Sequence, residues 1–450
     1  MFGRGARAVT LAAAAVLVLA GCTPGGQGGA DRTITVAYQK TDSFTALDTM
    51  FQDAKKEFEA ANQGVTIDLQ PIQANDEDYG TKLALALRSP STAPDVFYED
   101  TFKVRSDVDA GYLLNLDSRL AGWGDWDKFD DAAKEAGKAD DGGTYAVPLG
   151  TDTRAIWYNK KVFAAAGIGL PWRPSSWQDI LDTARKIKAS DPDVIPFNMY
   201  AGKGTGEGTV MQGFYELLYG TGDALYDRGT KKWVVGSAGF KDSLAFLQTL
   251  YAEKLAVDPG EALDPNIWKK VFGEWFSKAK LGATVEGSYA PSFWQDGGSY
   301  AWPDYAHEMA VAPFPTQDGG APGAVSMSGG WTLAVGAESK QPDLAFSFLT
   351  TALNARNSLA FTVASSQIAV RKDVAADPGY QSANPFVKDV SGLVSVTNFR
   401  PATSDYPRIS AAVQEATEAV ITGSRTPEQA AADYDTAVAG IVGSDKTIRK

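Results

Sequence analysis

The sequence predicts an α/β fold built on parallel sheet, and three observations support this prediction. Segments with strand periodicity and segments with helix periodicity alternate from residue 31 onward, which is the order that βαβ units produce. Hydrophobic residues make up 44% of the 450 residues, so a sizeable core can form and global disorder is excluded. A chain of this length accommodates two to three domains or two large lobes.

The first elements form a βαβαβ series. "RTITVAYQ" alternates with period two, as strands do, and "FTALDTMFQDAKKEFEAAN" carries apolar residues at helical spacing until Gly64 ends it. "VTIDLQP", "YGTKLALALRS" and "PDVFYED" continue as strand, helix and strand. Because ligands bind beyond the carboxyl ends of such strands, residues 38–41 and Glu99-Asp100 are expected near a site.

The next elements continue the alternation. "DGGTYAVPLG" is predicted to be a turn and a strand, and "TDTRAIWYNKKVFAAAG" a strand that enters a helix. "PSSWQDILDTARKIKAS" is a helix that begins after Ser176, with Asp179 helping as a capping box. "LGATVEG" is a strand, and "GAVSMSGGWTLAVG" is a crossing strand broken at Gly329-Gly330. Further helices are predicted over 237–254, 264–279, 342–363, 405–423 and from Pro427 to about 441.

The amino terminus has the pattern of a secretory signal peptide over residues 1–21. Arg4 and Arg7 precede an apolar run that ends at Ala20, and this run is too short to span a bilayer. "LAGC", which ends at Cys22, resembles the bacterial lipobox, in which the chain is cut before the cysteine and the thiol is lipidated. The resemblance implies a palmitate-type anchor on Cys22, a flexible Gly-rich tether over 22–30, and an extracytoplasmic protein attached to the bacterial cell membrane.

Composition excludes several classes of function. Cleavage before Cys22 leaves 429 residues with no second cysteine, so a disulfide, Cys-ligated zinc or a thiol nucleophile is not expected. The 42 basic and 55 acidic residues give a net charge of −13, or −15 without Arg4 and Arg7, and no basic stripe suits nucleic acid. The single His307 cannot form HExxH, and no GxSxG motif accompanies it. We therefore predict no cofactor and name no metal-ligating residue, and whether a metal ion binds is a question that the sequence leaves open.

One glycine-rich stretch superficially suggests a nucleotide site. "GKGTGEG" lacks both the dinucleotide-binding spacing and the terminal Gly-Lys-Ser/Thr of phosphate-binding loops. We interpret it as a flexible loop.

Several stretches together resemble one protein family. "AVPLGTDTRAIWYN", "WYNKKVFAAAG", "PSSWQDILDTARKI", "KLGATVEGSY" and "SGGWTLAVG" are similar, in order and spacing, to segments of the maltose-binding-like solute-binding lipoproteins of carbohydrate ABC importers. The resemblance covers roughly residues 31–425. "NFRPATSDYPRISAAVQEA" further resembles the subset that takes trehalose, maltose and related α-glucosides.

This resemblance implies a two-lobed periplasmic-binding-protein-like fold of type II, with a mainly parallel sheet flanked by helices in each lobe and a hinge of crossing segments. Lobe one would hold 31–149 and 328–366, and lobe two 150–327 and 367–450. The implied function is to bind an oligosaccharide between the lobes, as a monomer, and to deliver it to the transmembrane subunits of an ABC permease without chemical change.

A sugar-binding site needs carboxylates and amides for the hydroxyl groups and aromatic rings for the sugar faces. In lobe one, Asp100 is preferred to Glu99 as a ligand, although it could instead cap the following segment. Asp152 follows the first hinge strand and has a turn residue as its alternative. Gln39 and Lys40 follow the first strand, where either could bind sugar or be solvated.

In lobe two, "VEGSYAPSFW" offers Glu286, with Tyr289 or Trp294 as the stacking residue. Trp294 has a core position as its alternative. Gly330 allows close backbone approach, and Trp331 would line the cleft unless it packs in the hinge.

Two candidates remain near the carboxyl terminus. Arg400 and Tyr406 resemble positions that face sugar in the family. Arg400 offers a fixed fork of donors, and its alternative is a structural ion pair.

An alternative function is a secreted glycoside hydrolase with a carboxylate pair. Such a pair is ~5–5.5 or ~6.5–9.5 Å apart across the scissile bond. With 55 acidic residues, Asp100, Asp152 and Glu286 can always be named as candidates, so their presence alone does not decide between the two functions.

Overall fold

The computed structural model describes residues 32–450, apart from the side chain of Glu77. The predicted signal peptide, tether and Cys22 lie outside these residues.

The described strands, numbered in chain order, have the following bounds: β1 Thr33–Lys40, β2 Thr66–Gln73, β3 Val96–Asp100, β4 Ala146–Thr151, β5 Arg154–Asn159, β6 Ile195–Asn198, β7 Tyr226–Asp227, β8 Lys232–Val235, β9 Leu281–Gly287, β10 Met309–Ala312, β11 Phe314–Pro315, β12 Ala324–Ser328, β13 Gly330–Val335, β14 Thr397–Phe399 and β15 Thr447–Arg449.

The described α-helices have the following bounds: α1 Ala46–Ala61, α2 Asp76–Leu87, α3 Val104–Asp109, α4 Asp117–Leu120, α5 Asp131–Lys134, α6 Lys160–Ala165, α7 Trp177–Ser190, α8 Glu207–Thr209, α9 Tyr215–Gly220, α10 Ala238–Ala252, α11 Pro259–Ala262, α12 Ile267–Lys270, α13 Pro291–Trp294, α14 Tyr305–Glu308, α15 Pro342–Ala352, α16 Ala355–Ser365, α17 Lys372–Ala375, α18 Pro378–Gln381, α19 Val387–Gly392, α20 Tyr406–Ile421 and α21 Pro427–Val442. Two π-helical turns, Val210–Phe214 and Val271–Trp275, adjoin α8 and α12.

Two separate sheets carry the architecture. The first is five-stranded in the order β2-β1-β3-β13-β4, and the second is four-stranded in the order β10-β5-β9-β6. Each sheet has its own hydrophobic core: Val36, Phe97 and Leu333 belong to the first, while Trp157 and Val285 belong to the second. We call each sheet with its core a lobe, the first and the second respectively.

The sheets are mixed, which corrects the expectation of mainly parallel sheets. β1 pairs in parallel with β2 and β3, and β6 with β9, but β13 is antiparallel to β3 and β4, and β5 is antiparallel to β9 and β10. Parallel neighbours require a long crossover within one sheet. β13 enters the first sheet directly from the second lobe, so no helical crossover fixes its direction.

The chain passes between the lobes at three places. Asp152 and Thr153 separate β4 from β5, and Gly329 separates β12, whose Val325 and Met327 lie in the second core, from β13. The third passage lies between Val370 of the first core and Phe386 of the second. The first two crossings are short and bring the ends of strands from both lobes together.

Most predicted elements are confirmed at close to their predicted bounds. The Ser176 hydroxyl caps α7 by accepting from the backbone N–H of Asp179 at 3.2 Å. The Asp179 carboxylate, however, accepts from Ser175 rather than from Ser176, so the capping box is displaced by one residue.

Two predicted helices are wrong in length. The single helix expected over 342–363 is two helices, because the side chain of Asn354 accepts from the backbone N–H of Asn357 and starts a new helix there. The helix expected over 264–279 is the short α12 followed by the π-helical turn over 271–275.

Candidate functional site

The carboxyl end of β3 and two of the crossings meet at one place, between the lobes. Asp100 ends β3, Asp152 lies in the first crossing, and Gly329 forms the second. A Cβ atom on Gly329 would lie 3.5 Å from both Arg400 Nη2 and Asp152 Oδ1, and 3.6 Å from Arg154 Nη1. Charged side chains of the second lobe and of the first crossing therefore surround this glycine.

Arg400 joins the lobes through an ion pair. Its Nη2 donates to Asp100 Oδ1 at 2.5 Å, and the side chains of Arg400 and Asp100 are only 5% and 17% exposed. Its guanidinium also lies over the ring of Phe102, 4.3 Å from the centroid. Arg400 follows β14, which pairs with β12 of the second lobe. The structure therefore contains the ion pair that the sequence offered as the alternative role of Arg400, and its role as a sugar ligand stays a prediction.

Glu207 is a second acceptor for Arg400. Its Oε1 lies 3.5 Å from Arg400 Nη1 and also accepts from the hydroxyl of Tyr406. Its Oε2 accepts from the Ser410 hydroxyl at 2.5 Å. Glu207 thus ties Arg400 to α20 within the second lobe.

A second buried ion pair occupies the first crossing. Asp152 Oδ1 accepts from Arg154 Nη1 and from the backbone N–H of Gly329, the latter at 2.7 Å. The hydroxyl of Ser328 donates to the Asp152 carbonyl at 2.5 Å. Asp152 therefore fastens the two crossing segments to each other.

Glu286 ends β9 among tyrosine hydroxyls. It accepts from Tyr200 at 2.5 Å and from Tyr289 at 3.1 Å. Gln212 Nε2 donates to the Tyr289 hydroxyl at 2.9 Å, and the Arg154 guanidinium lies 5.7 Å from the Tyr289 ring centroid. These contacts connect Glu286 to the ion pair at the crossing.

Two polar atoms in this network have no hydrogen-bond partner within the described protein. They are the donor Nε of Arg154 and the acceptor Oε1 of Gln212, and both are buried. Buried donors and acceptors are normally paired. A hydroxyl group, which both donates and accepts, is the kind of ligand group that could satisfy either atom.

Burial perturbs the carboxyl groups of the site. It raises the pKa of Asp100, and the neighbouring Arg400 guanidinium opposes that shift. Burial also raises the pKa of Glu286, against the hydrogen bond from Tyr200. Because burial disfavours the charged form, these carboxyl groups depend on donors, from the protein or from a ligand, to stay ionised.

Trp331 provides an aromatic ring beside the cluster. It is half-buried, and the ring of Tyr98 stacks on one of its faces at 4.3 Å with an interplanar angle of 5°. Its backbone pairs with Asp100 across the first sheet. The preceding Gly330 has φ +152°, and its carbonyl accepts from the backbone N–H of Thr101 at 3.1 Å.

Gln39 and Lys40 lie at the end of β1 with partners of their own. Gln39 Nε2 donates to Asp76 Oδ1 at 2.7 Å, and Lys40 forms an ion pair with Asp48 at 2.8 Å. The described contacts do not bring either residue into the network around Gly329.

Trp294 lies in the second core, the alternative that the sequence left open. Its side chain is 1% exposed, its indole N–H donates to the carbonyl of Phe272, and its ring packs against Trp157 and Trp302. With no free ring face, Trp294 cannot be the stacking residue. Tyr289 keeps that predicted role.

Glu99 is buried next to Asp107 and makes none of the contacts of the network. It is 1% exposed, and neither carboxylate oxygen has a hydrogen-bond partner. Burial raises its pKa well above the usual value, and the negative charges of Asp107 and Asp100 add to this shift. Of the two adjacent acids, Asp100 is therefore the one that joins the network between the lobes.

We expect Glu99→Gln to stabilise the protein at high pH. The folded protein holds the Glu99 proton to higher pH than the unfolded chain, so stability is lost as pH rises through the folded-state pKa. Removing the charge should raise the free energy of unfolding by about 1–3 kcal/mol at pH 8, because a buried charge costs more than a neutral amide in the same place, with little change at pH 4. Denaturant titrations at both pH values measure this. An equal gain at both would contradict it, and the exposed Glu338→Gln is the matched control.

The sequence-based reasoning missed several residues of the network, and Arg154, Glu207 and Gln212 are the ones with charged or unpaired groups. A charged residue within the apolar strand "RAIWYN" could have indicated Arg154. The stretch "GKGTGEG", interpreted as a flexible loop, instead has defined contacts: Gly202 donates to Thr417 at 2.9 Å, and its end forms α8, which carries Glu207. No sequence signal distinguished Gln212.

Two further observations concern the described residues 32–450 as a whole. No helix among them is both long enough and apolar enough to cross a membrane. They also contain no group of three or more His, Cys, Asp or Glu side chains placed to hold a metal ion.

Comparison with known sequences identifies relatives over most of the chain. The family model described as bacterial extracellular solute-binding protein matches residues 39–358. The diacetylchitobiose binding protein DasA of Streptomyces coelicolor is 29% identical over 343 residues, which cover 73% of this chain and 71% of that protein.

Solved structures show the same fold. The GacH receptor of Streptomyces glaucescens, solved unliganded and in complex with acarbose, superposes with a TM-score of 0.76 at 24% identity, covering 92% of this chain and 99% of that one. Maltose-bound MalE3 of T. maritima gives a TM-score of 0.77 at 19% identity, covering 91% and 100%. The two-lobed α/β architecture of maltose-binding-like proteins is therefore the fold of this chain.

Proposed function

Since this chain belongs to the bacterial extracellular solute-binding protein family, we propose that it binds an oligosaccharide between its lobes and delivers it to an ABC permease. The sugar we propose is an α-glucoside disaccharide such as trehalose or maltose. The protein would act as an extracytoplasmic monomer anchored through a lipid on Cys22, and it would release its ligand chemically unchanged.

The observation that carries this proposal is the polar network between the lobes. Asp100 of the first lobe and Arg400 and Glu286 of the second converge on the crossing segments, where Asp152 joins them. Ligands of open α/β sheets bind at the carboxyl ends of strands. A ligand at this point would contact both lobes at once.

The chemistry of the network suits a carbohydrate. Carboxylates and guanidinium groups form strong charge-assisted hydrogen bonds with neighbouring hydroxyl groups. The unpaired Arg154 Nε and Gln212 Oε1 add one donor and one acceptor. The half-buried rings of Trp331 and Tyr289 supply apolar surface for the faces of a sugar ring.

The relatives support the ligand class but not a single sugar. MalE3 was solved with maltose and GacH with acarbose, whereas DasA is named for diacetylchitobiose. We favour α-glucosides because of the resemblance of residues 398–416 to the trehalose and maltose subset.

Transport would use an equilibrium between open and closed arrangements of the lobes. A ligand can shift such an equilibrium only by binding one arrangement more tightly than the other. Groups from both lobes can contact one ligand together only when the lobes are closed. The closed form would then be the one that the permease recognises.

A thermal-shift screen with titration calorimetry tests the function. We expect Tm to rise with trehalose or maltose, because a ligand of the folded state stabilises it by mass action: about 2.7 kcal/mol at a ligand concentration of 100 Kd. Diacetylchitobiose, cellobiose and glucose complete the panel. If no saccharide shifts Tm or gives saturable heat, the proposal is wrong.

The same samples separate binding from hydrolysis. After prolonged incubation of the protein with each disaccharide, chromatography should recover the disaccharide alone. Accumulation of glucose would instead support the glycoside hydrolase alternative.

A further inference from the structure

Glu207 and the first lobe's Asp100 contact different nitrogens of the Arg400 guanidinium, Nη1 and Nη2 respectively. Among the described residues, the pair Arg400–Asp100 is the only ion pair between the lobes. Glu207 contacts Arg400 from within the second lobe, where α8 leads directly into the core residues Val210 and Phe214. Arg400 is thus held by two carboxylates, one from each lobe.

Glu207 is itself fixed by groups of the second lobe alone. Both its oxygens accept hydroxyl protons from α20, one from Tyr406 and one from Ser410 at 2.5 Å. Tyr406 is fully buried. The Glu207 carboxylate therefore keeps its place whether or not the first lobe is near, and it can orient Arg400 in either arrangement of the lobes.

Two other described contacts between the lobes are exposed hydrogen bonds. Gln295 donates to the Ala364 carbonyl at 2.9 Å and Ser299 to the Asp42 carbonyl at 3.4 Å, both in exposed positions. Exposed hydrogen bonds compete with water and contribute little net free energy. The ion pair of Arg400, by contrast, is largely buried, and Phe102 covers its guanidinium.

We propose that Glu207 is a positioning residue that directs the Arg400 guanidinium at Asp100 and so promotes closure of the lobes over the ligand. This inference rests on the proposed function for its ligand, but the closure itself does not require a ligand. Without the Glu207 charge, Arg400 loses its fixed orientation and must be ordered anew at each closure, which costs side-chain entropy.

Two measurements on the full chain test this role in Glu207→Gln, with Glu338→Gln as the exposed control. We expect calorimetry to show sugar affinity weakened about tenfold, the effect of one lost charge-assisted hydrogen bond. Small-angle scattering without sugar should show a larger radius of gyration, because the open arrangement gains population. The control should match the wild type in both.

A double substitution distinguishes positioning from support of the fold. If Glu207 acts through Arg400, Glu207→Gln should have less than about a twofold effect on Kd in an Arg400→Lys background, because coupled sites are not additive. Glu207→Asp keeps the charge and should therefore retain part of the wild-type affinity. It replaces Glu207→Gln in these measurements if that variant does not fold.

Three results would overturn the inference. The first is a Glu207→Gln variant with a lower Tm but unchanged Kd and scattering, and the second is a Glu207→Gln variant with the radius of gyration of the wild type. The third is an effect of Glu207→Gln on Kd that stays about tenfold in the Arg400→Lys background. If the wild type binds no saccharide, the proposed function fails, and the scattering comparison still decides the role of Glu207 in closure.

Discussion

Arg400→Ala should lower both the stability of the protein and its affinity for sugar. The substitution leaves the largely buried Asp100 without its cation, and breaking a buried ion pair from one side costs about 3–5 kcal/mol of unfolding free energy. Sugar affinity should fall about 30-fold or more, because the loss of a buried charged partner in a binding site costs at least about 2 kcal/mol. Denaturant titration and calorimetry measure the two effects.

The neighbouring Arg408 provides the control for this prediction. Arg408 pairs with Asp405 at 2.5 Å, but its side chain is 61% exposed, and exposed pairs contribute about 0–1 kcal/mol. Arg408→Ala should therefore change neither property appreciably. An Arg400→Ala variant that loses stability but binds sugar normally would exclude Arg400 from the site.

Gly330→Val should disrupt the second crossing. Gly330 has φ +152°, a conformation that L side chains rarely adopt, and an added Cβ would lie 2.9 Å from the carbonyl oxygen of Gly150. Backbone strain alone costs about 1–3 kcal/mol, and the contact with a fixed backbone oxygen adds to it. We expect the free energy of unfolding to fall by about 3 kcal/mol or more, as measured by denaturant titration.

The adjacent glycine separates this effect from a general intolerance of side chains. A Cβ on Gly329 would have its nearest contacts at 3.5–3.6 Å, which is ordinary packing. Gly329→Ala should therefore cost less than about 1 kcal/mol. Equal losses for the two variants would show that the crossing as a whole, rather than the conformation of Gly330, is sensitive.

Capping residues and apolar periodicity predicted an element well where the whole signal lies within the sequence of that element. Ser176 indicated the start of α7, and the periodicity of residues 44–62 indicated α1. The break at Asn354 was missed because apolar spacing continues across it, and only the capping contact with Asn357 reveals the new helix. The direction of β13 depends on its arrival from the other lobe, which no local pattern records.

The candidate site was predictable to the extent that topology determines it. Asp100 and Asp152 follow strands, so the rule of strand ends placed them where the lobes meet. Trp294 and Tyr289 are only a few residues apart, so the sequence does not show which of the two aromatic side chains is buried in the core. Glu207 lies in a glycine-rich stretch of the sequence. Its position is fixed by hydrogen bonds from α20, which is remote in sequence, so no local pattern could have indicated its role.

The insertion of β13 between β3 and β4 also bears on the order in which the chain folds. The strands of the second sheet all precede β13, whereas the first sheet lacks a central strand until residues 330–335 have been synthesised. Pairings between distant segments form slowly because the intervening loop must close first. The pairing of β4 with the rest of the first sheet, which runs through β13, should therefore be among the last to form although β4 is made early, and a chain exported amino terminus first would keep β4 unpaired until β13 has followed it.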